Sequence, residues 1–151
     1  MSAAALVDTN VLVYAFDDDE HDKRLRALEV LDSLVAGARG AVSAQVLGEF
    51  YSVLSRRFGH RMTSAMVADH ARDWSRALTT HDTSVAVVLE ALRATVRYQM
   101  PYYDAQIWAV ARVNRIPLVL SEDFADGAVI EGVRFANPFA EGFDLDAVIE
   151  V

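Results

Sequence analysis

Short apolar runs alternate along this chain with longer amphipathic stretches, and that alternation restricts the fold more than any other feature. Ala3–Val7, Gly40–Ser43, Pro117–Leu120 and Val133–Phe135 are too short for helices and predominantly apolar. Strands buried on both faces of a parallel sheet have this character. Helical periodicity fills the intervals, over Val11–Phe16, Asp22–Ala36, Ala44–Arg57, Ser64–Ala77, Ser84–Tyr98 and Tyr102–Asn114, with Gly37 and Gly59 as stops and Pro101 as a first-turn start. Strand followed by helix, repeated, predicts an α/β fold: a three-layer α/β/α sandwich with a short, mostly parallel central sheet. Ligands bind such sheets beyond the carboxyl ends of the strands, where Asp8 and Asp123 fall.

A chain of 151 residues suits one domain, burying roughly 70% of the surface its unfolded form exposes. No repeat or Pro/Gly/Ser linker divides it. The expected organisation is a domain over residues 1–139 and an acidic segment, 140–151, packed on it or extending from it. The chain has no cysteine, which excludes disulfides, thiolate metal sites and cysteine nucleophiles. No stretch of about 20 residues is free of charge, so a membrane span is not expected. The apolar run at the amino terminus has no basic residue before it and meets Asp8 too early for a signal peptide, which points to the cytoplasm.

Four acids carry the candidate chemistry. Asp8 ends the first apolar run, with Thr9 and Asn10 placed to cap the next helix. Glu49 lies at the margin of the stripe Val46, Leu47, Phe50, Val53 and Leu54, compatible with a site or with a boundary glutamate whose head reaches water. Asp104 has Ile107, Trp108 and Ala111 as its helical neighbours and so projects from an inward stripe, where a lone carboxylate costs several kcal/mol unless it is paired or metal-bound. It could instead serve the helix amino terminus. Asp123 follows the third run, beside Glu122 and Ser121, in what could also be an ordinary acidic turn. Gathered together, four carboxylates would repel one another, and a hard divalent cation relieves that cost.

Asp8-Thr9-Asn10 after the first strand, the glutamate of Ser43-Ala44-Gln45-Val46-Leu47-Gly48-Glu49-Phe50, the inward Asp104 and Ser121-Glu122-Asp123 together resemble the PIN domain, and within it the VapC-type toxins of bacterial toxin–antitoxin pairs. The resemblance runs to the closing Phe135-Ala136-Asn137-Pro138-Phe139. It implies an Mg²⁺- or Mn²⁺-dependent endoribonuclease in which Asp8, Glu49, Asp104 and Asp123 form the acidic quartet. Thr9, Asn10 and Ser121 would be supporting polar positions, with serine at 121 where threonine is frequent. Glu122 is an extra acid with no assigned role. The resemblance also implies a small antitoxin, often presenting an arginine to the acidic pocket, and a homodimer.

Arg56, Arg57 and Arg61, at the end of the Glu49 helix, either contact RNA phosphates or complement the helix carboxyl end. The net charge of −8 speaks against long-range attraction to RNA, although a metal would absorb part of it, and the surplus acid of Asp17-Asp18-Asp19-Glu20 is expected to lie away from the site. A haloacid dehalogenase-type phosphatase would place Asp-x-Asp after the first strand, and position 10 is Asn. A signalling receiver would need a lysine at a late strand end, and the only lysine is Lys23. A metal-free PIN scaffold that only binds a partner is a third alternative. His21, His60, His70 and His81 lack ligand spacing and are expected at the surface. Phe50, Tyr51 and Leu54 could line a groove for a partner helix or form core.

Overall fold

The computed structural model describes residues 3 to 150. Six strands form one sheet: β1 (Ala5–Val7), β2 (Gly40–Ser43), β3 (Thr79–His81), β4 (Leu118–Leu120), β5 (Val129–Ile130) and β6 (Val133–Ala136), in the order β3-β2-β1-β4-β6-β5. All neighbours run parallel except β5, which closes the β6 edge as an antiparallel hairpin. Helices α1 (Thr9–Tyr14), α2 (His21–Ala36), α3 (Ala44–Phe58), α4 (Ser64–Ala77), α5 (Val85–Tyr98), α6 (Tyr102–Val113) and α7 (Leu145–Ile149) connect the strands and follow them. This is the expected α/β architecture with a mostly parallel sheet. Among the described residues, no helix is long and apolar enough to cross a membrane.

The order of the strands decides where chemistry can happen. From β1 the chain adds β2 and then β3 on one side, and β4 later docks on the other side of β1. That reversal opens a crevice at the carboxyl ends of β1 and β4. Val7 is in register with Leu120, so the residues that follow, Asp8 and Ser121, emerge side by side. The Asp8 amide donates to the Leu120 carbonyl at 3.0 Å, and the Ser121 amide donates to the Ala136 carbonyl at 3.0 Å.

Helix starts are fixed by side chains that accept from the first-turn amides. Ser43 caps α3 through Val46, Thr63 caps α4 through Met66, and Ser84 caps α5 through Val87. Asp8 caps α1, which therefore begins at Thr9, two residues before the expected start at Val11. The core joins both helical layers to the sheet through Leu6, Leu12, Phe50, Leu54, Trp108 and Phe135, all fully buried. The Trp108 indole N–H is satisfied by the Ile130 carbonyl at 3.0 Å.

Three elements are absent from the sequence expectation. Strand β3, Thr-Thr-His, is polar and largely exposed, and backbone pairing to β2 makes it a strand. Strand β5 has only two residues. Helix α7 lies in the acidic segment, where Leu145, Val148 and Ile149 pack on the core and Asp146 meets Arg39 at 3.3 Å.

Candidate active site

The crevice between β1 and β4 holds a hydrogen-bonded ring of polar side chains. Asp8 is buried at its floor, with Oδ1 accepting from the Thr9 amide at 2.7 Å and Oδ2 from the Ser121 hydroxyl at 2.7 Å. Asn10 directs its amide nitrogen at the Ser121 hydroxyl (3.1 Å) and at Asp123 Oδ2 (3.2 Å). The Thr9 hydroxyl donates to Glu49 Oε2 at 2.8 Å, tying α1 to α3. Asp104 stands in the first turn of α6, half-buried, and both Asp123 and Glu49 act on its charge. Asp8 responds to the same two acids. Asp8, Glu49, Asp104 and Asp123 therefore share one electrostatic field, although Asp123 itself is exposed.

The family profile described as PIN domain matches residues 5–125. The chain belongs to the PIN domain family. Solved PIN-like structures superpose over most of its length. A toxin–antitoxin complex from Klebsiella pneumoniae aligns with TM-score 0.67 at 21% identity, covering 89% of this chain and 97% of that one. VapC20 of Mycobacterium tuberculosis, a sarcin–ricin loop cleaving toxin, aligns with TM-score 0.61 at 25% identity, covering 86% and 98%. DNA-bound VapBC of Salmonella typhimurium aligns with TM-score 0.65 at 14% identity, covering 90% and 98%. Among curated proteins, none matches the chain. PIN membership leaves the phosphatase and receiver alternatives without support.

Burial pushes the Asp8 carboxyl of this PIN domain up to about 6, against the hydrogen bonds from Ser121 and Thr9 that pull it down, and the charges of Asp123 and Glu49 raise it further. Burial also raises Asp104, again with contributions from Asp123 and Glu49. Burial is the larger cause of both shifts, and the neighbouring carboxylates Asp123 and Glu49 add to it. The donors are all oxygen, the set that suits Mg²⁺ or Mn²⁺. Among the described residues, no three Asp, Glu, His or Cys side chains are arranged to hold one ion directly.

Two glutamines stand behind Glu49. Gln106, buried on α6, donates to Gln45 Oε1 at 2.6 Å, and Gln45 donates to Glu49 Oε1 at 2.8 Å. This relay spans 61 positions in sequence, and no local pattern announces it. Glu122, in contrast, is already paired within the protein. Its carboxylate accepts from Tyr14 at 2.7 Å and from Lys23, the only lysine, at 2.9 Å. The role left open for Glu122 is thus to anchor the Ser121–Asp123 turn to α1 and α2.

The three arginines at the end of α3 part company. Arg56 is exposed and makes no ion pair among the described residues. Arg61 reaches Asp18 at 3.4 Å and Asp19 at 3.9 Å. Arg57 lines a cleft of about 270 Å³ with Thr9, Asn10, Glu49 and Asp123, and bonds Asp17 at 2.7 Å. Asp17 is fully buried, so the acidic run is not wholly remote from the site, as its composition suggested. His21 and His60 are exposed, whereas His81 is half-buried and so is His70, packed on Phe16 with ring centroids 4.6 Å apart. Phe50 and Leu54 are core, and only Tyr51 of that trio reaches solvent.

Proposed function

We propose that this PIN domain is a divalent-metal-dependent endoribonuclease, the toxin of a toxin–antitoxin pair acting in the cytoplasm. One observation carries the reading: Glu49 and Asp123, from two further segments, both act on the charge of Asp8, at the carboxyl end of β1, and of Asp104, in the first turn of α6. VapC20, similar at 25% identity, is a sarcin–ricin loop cleaving toxin, which favours RNA as the class of substrate here.

Hydrolysis of a phosphodiester joins water to phosphorus and expels one ester oxygen, and a phosphate approaching four carboxylates meets repulsion first. Mg²⁺ or Mn²⁺, when bound, supplies relief of that repulsion and an acidified water. The chain supplies the rest. Asp8, ionised above pH 6, and Asp104 provide the negative charge that draws the cation. Ser121 and Asn10 hold Asp8 and Asp123 in fixed orientation, and the relay from Gln106 through Gln45 holds Glu49. No side-chain nucleophile is required, and Ser121 is committed as a donor to Asp8.

An acidic cleft of this kind also suits a cationic side chain from a small antitoxin, in keeping with the toxin–antitoxin complex among the structural relatives. A homodimer has a matching surface on α5. Val85, Leu89, Leu92 and Val96 are spaced four, three and four residues apart and are 75%, 61%, 47% and 84% exposed. Such a stripe is self-complementary when two copies meet antiparallel. The deciding experiment incubates purified protein with total bacterial RNA, with Mg²⁺, with Mn²⁺ and with EDTA, beside Asp8→Asn and Asp104→Asn. Discrete cleavage that needs the metal and both acids is expected. Cleavage persisting in EDTA or in both variants would overturn the reading, and metal binding without any RNA cleavage would favour a partner-binding scaffold.

A further inference from the structure

The cleft beside the quartet is lined by Glu49, Glu122 and Asp123 and by a single cation, Arg57. Arg57 is held by a buried carboxylate whose other oxygen fixes its own turn. Asp17 is fully buried and ionisable, and its Oδ2 accepts from Arg57 Nη2 at 2.7 Å while its Oδ1 accepts from the Asp19 amide at 3.1 Å. A buried carboxylate is costly unless paired, so the pair locks the guanidinium in one place. That bond to Asp17 is the only side-chain hydrogen bond Arg57 makes among the described residues, which leaves the remaining N–H groups of its fork for a ligand in the cleft. Arg61 has its charge shared with Asp18 and Asp19, and Arg56 is not part of the cleft lining.

We propose that Arg57, anchored by Asp17, is the residue of this cleft that grips a backbone phosphate of the RNA next to the acidic quartet, with Asp17 as its positioning residue. The inference rests on the nuclease reading above. A planar guanidinium donates to two phosphate oxygens at once, which the point charge of a lysine does not reproduce. In a protein of net charge −8, one fixed cation at the mouth of an acidic site gives the incoming strand a local foothold that the overall field denies it.

The test separates gripping from mere charge balance, because the two predict opposite effects on metal and RNA. Binding of a fluorescein-labelled, randomised single-stranded oligoribonucleotide pool is followed by anisotropy in Mg²⁺ buffer, every protein carrying Asp104→Asn to block cleavage. Mg²⁺ affinity is measured calorimetrically, without RNA, in proteins that retain Asp104. Arg57→Gln is expected to weaken RNA binding about tenfold and to lower the salt dependence by roughly one phosphate contact. Its Mg²⁺ affinity stays level or rises, since a neighbouring cation has been removed. Arg57→Lys restores RNA binding only in part, and Asp17→Asn gives a smaller loss with Arg57 intact.

Should Arg57→Gln unfold because it strands Asp17, the double variant Asp17→Asn/Arg57→Gln keeps a neutral hydrogen-bonded pair and carries the same expectations. RNA affinity unchanged in a folded variant overturns the assignment of Arg57 and leaves the nuclease reading standing. Parallel weakening of RNA and Mg²⁺ binding overturns it as well, in favour of a purely structural pair. A parent protein that neither binds the pool nor cleaves total RNA brings down both.

Discussion

The Ser121 hydroxyl donates to Asp8 Oδ2 at 2.7 Å across the seam between β4 and β1. The bond favours the ionised carboxylate and so opposes the effect of burial on Asp8. Ser121→Ala removes it. The Asp8 carboxyl then moves further up, and Mg²⁺ binding weakens at pH 6 more than at pH 8, where Asp8 ionises regardless. Calorimetric titration at the two pH values checks this, with Ser121→Thr expected to retain the bond and the affinity. An equal loss at both pH values would place the effect elsewhere.

Asp8 also makes the stability of the metal-free protein depend on pH. Its carboxyl is raised in the folded state from 3.8 to about 6, so the folded protein holds this proton more tightly than the unfolded chain does. The associated stability is present below pH 3.8 and is lost as pH rises through 6, to a maximum of about 3 kcal/mol. Denaturant melts of the wild type and Asp8→Asn should therefore diverge between pH 4 and pH 7, with the wild type losing relative stability as the pH rises. Saturating Mg²⁺ should stabilise the wild type more at pH 7.5 than at pH 5, because only ionised Asp8 attracts the cation.

The glutamine relay predicts an effect at a distance from any ligand. Gln106→Leu leaves the Gln45 carbonyl without its donor and frees Gln45 to rotate away from Glu49. A lost neutral hydrogen bond is worth about 1 kcal/mol, so cleavage should slow roughly fivefold with KM little changed. Circular dichroism should show an unaltered fold. A full-rate enzyme would mean that Glu49 needs no support from α6.

Leu89→Glu, placed at the middle of the exposed α5 stripe, should convert a dimer to a monomer without lowering the melting temperature of the monomeric fold, since Leu89 is already 61% exposed. Multi-angle light scattering across a concentration series reads the outcome. A wild type that is monomeric at every concentration would remove α5 as a dimer surface.

The parts of the site legible in the sequence are those that end an apolar run. Asp8 and Asp123 follow β1 and β4, and a parallel sheet carries such residues to one edge. Asp104 was traceable by helical spacing, although it is half-buried in a first turn and less deeply inserted than its neighbours Ile107 and Trp108 suggested. Asp17 was hidden in Asp17-Asp18-Asp19-Glu20, where composition reads as solvated charge, and only tertiary contact distinguishes the buried member. Gln45, Gln106 and the pairing of Glu122 with Lys23 and Tyr14 join segments far apart in sequence through single hydrogen bonds, which leave no periodic trace. Strand β3 was invisible for the complementary reason: Thr79, Thr80 and His81 are extended because β2 offers them a partner, not because they are apolar.

The placement of β4 against β1 has a temporal meaning. Ser121 and Asp8 are separated by 113 positions, and the two halves of the crevice exist together only once the later strand has threaded in beside the first. A nascent polypeptide emerging from the ribosome carries Asp8 and Glu49 long before Asp123, so under the nuclease reading the quartet is incomplete until the later strand is made. For a protein whose proposed target is RNA, the acids come together only when the sheet is closed from β1 to β4.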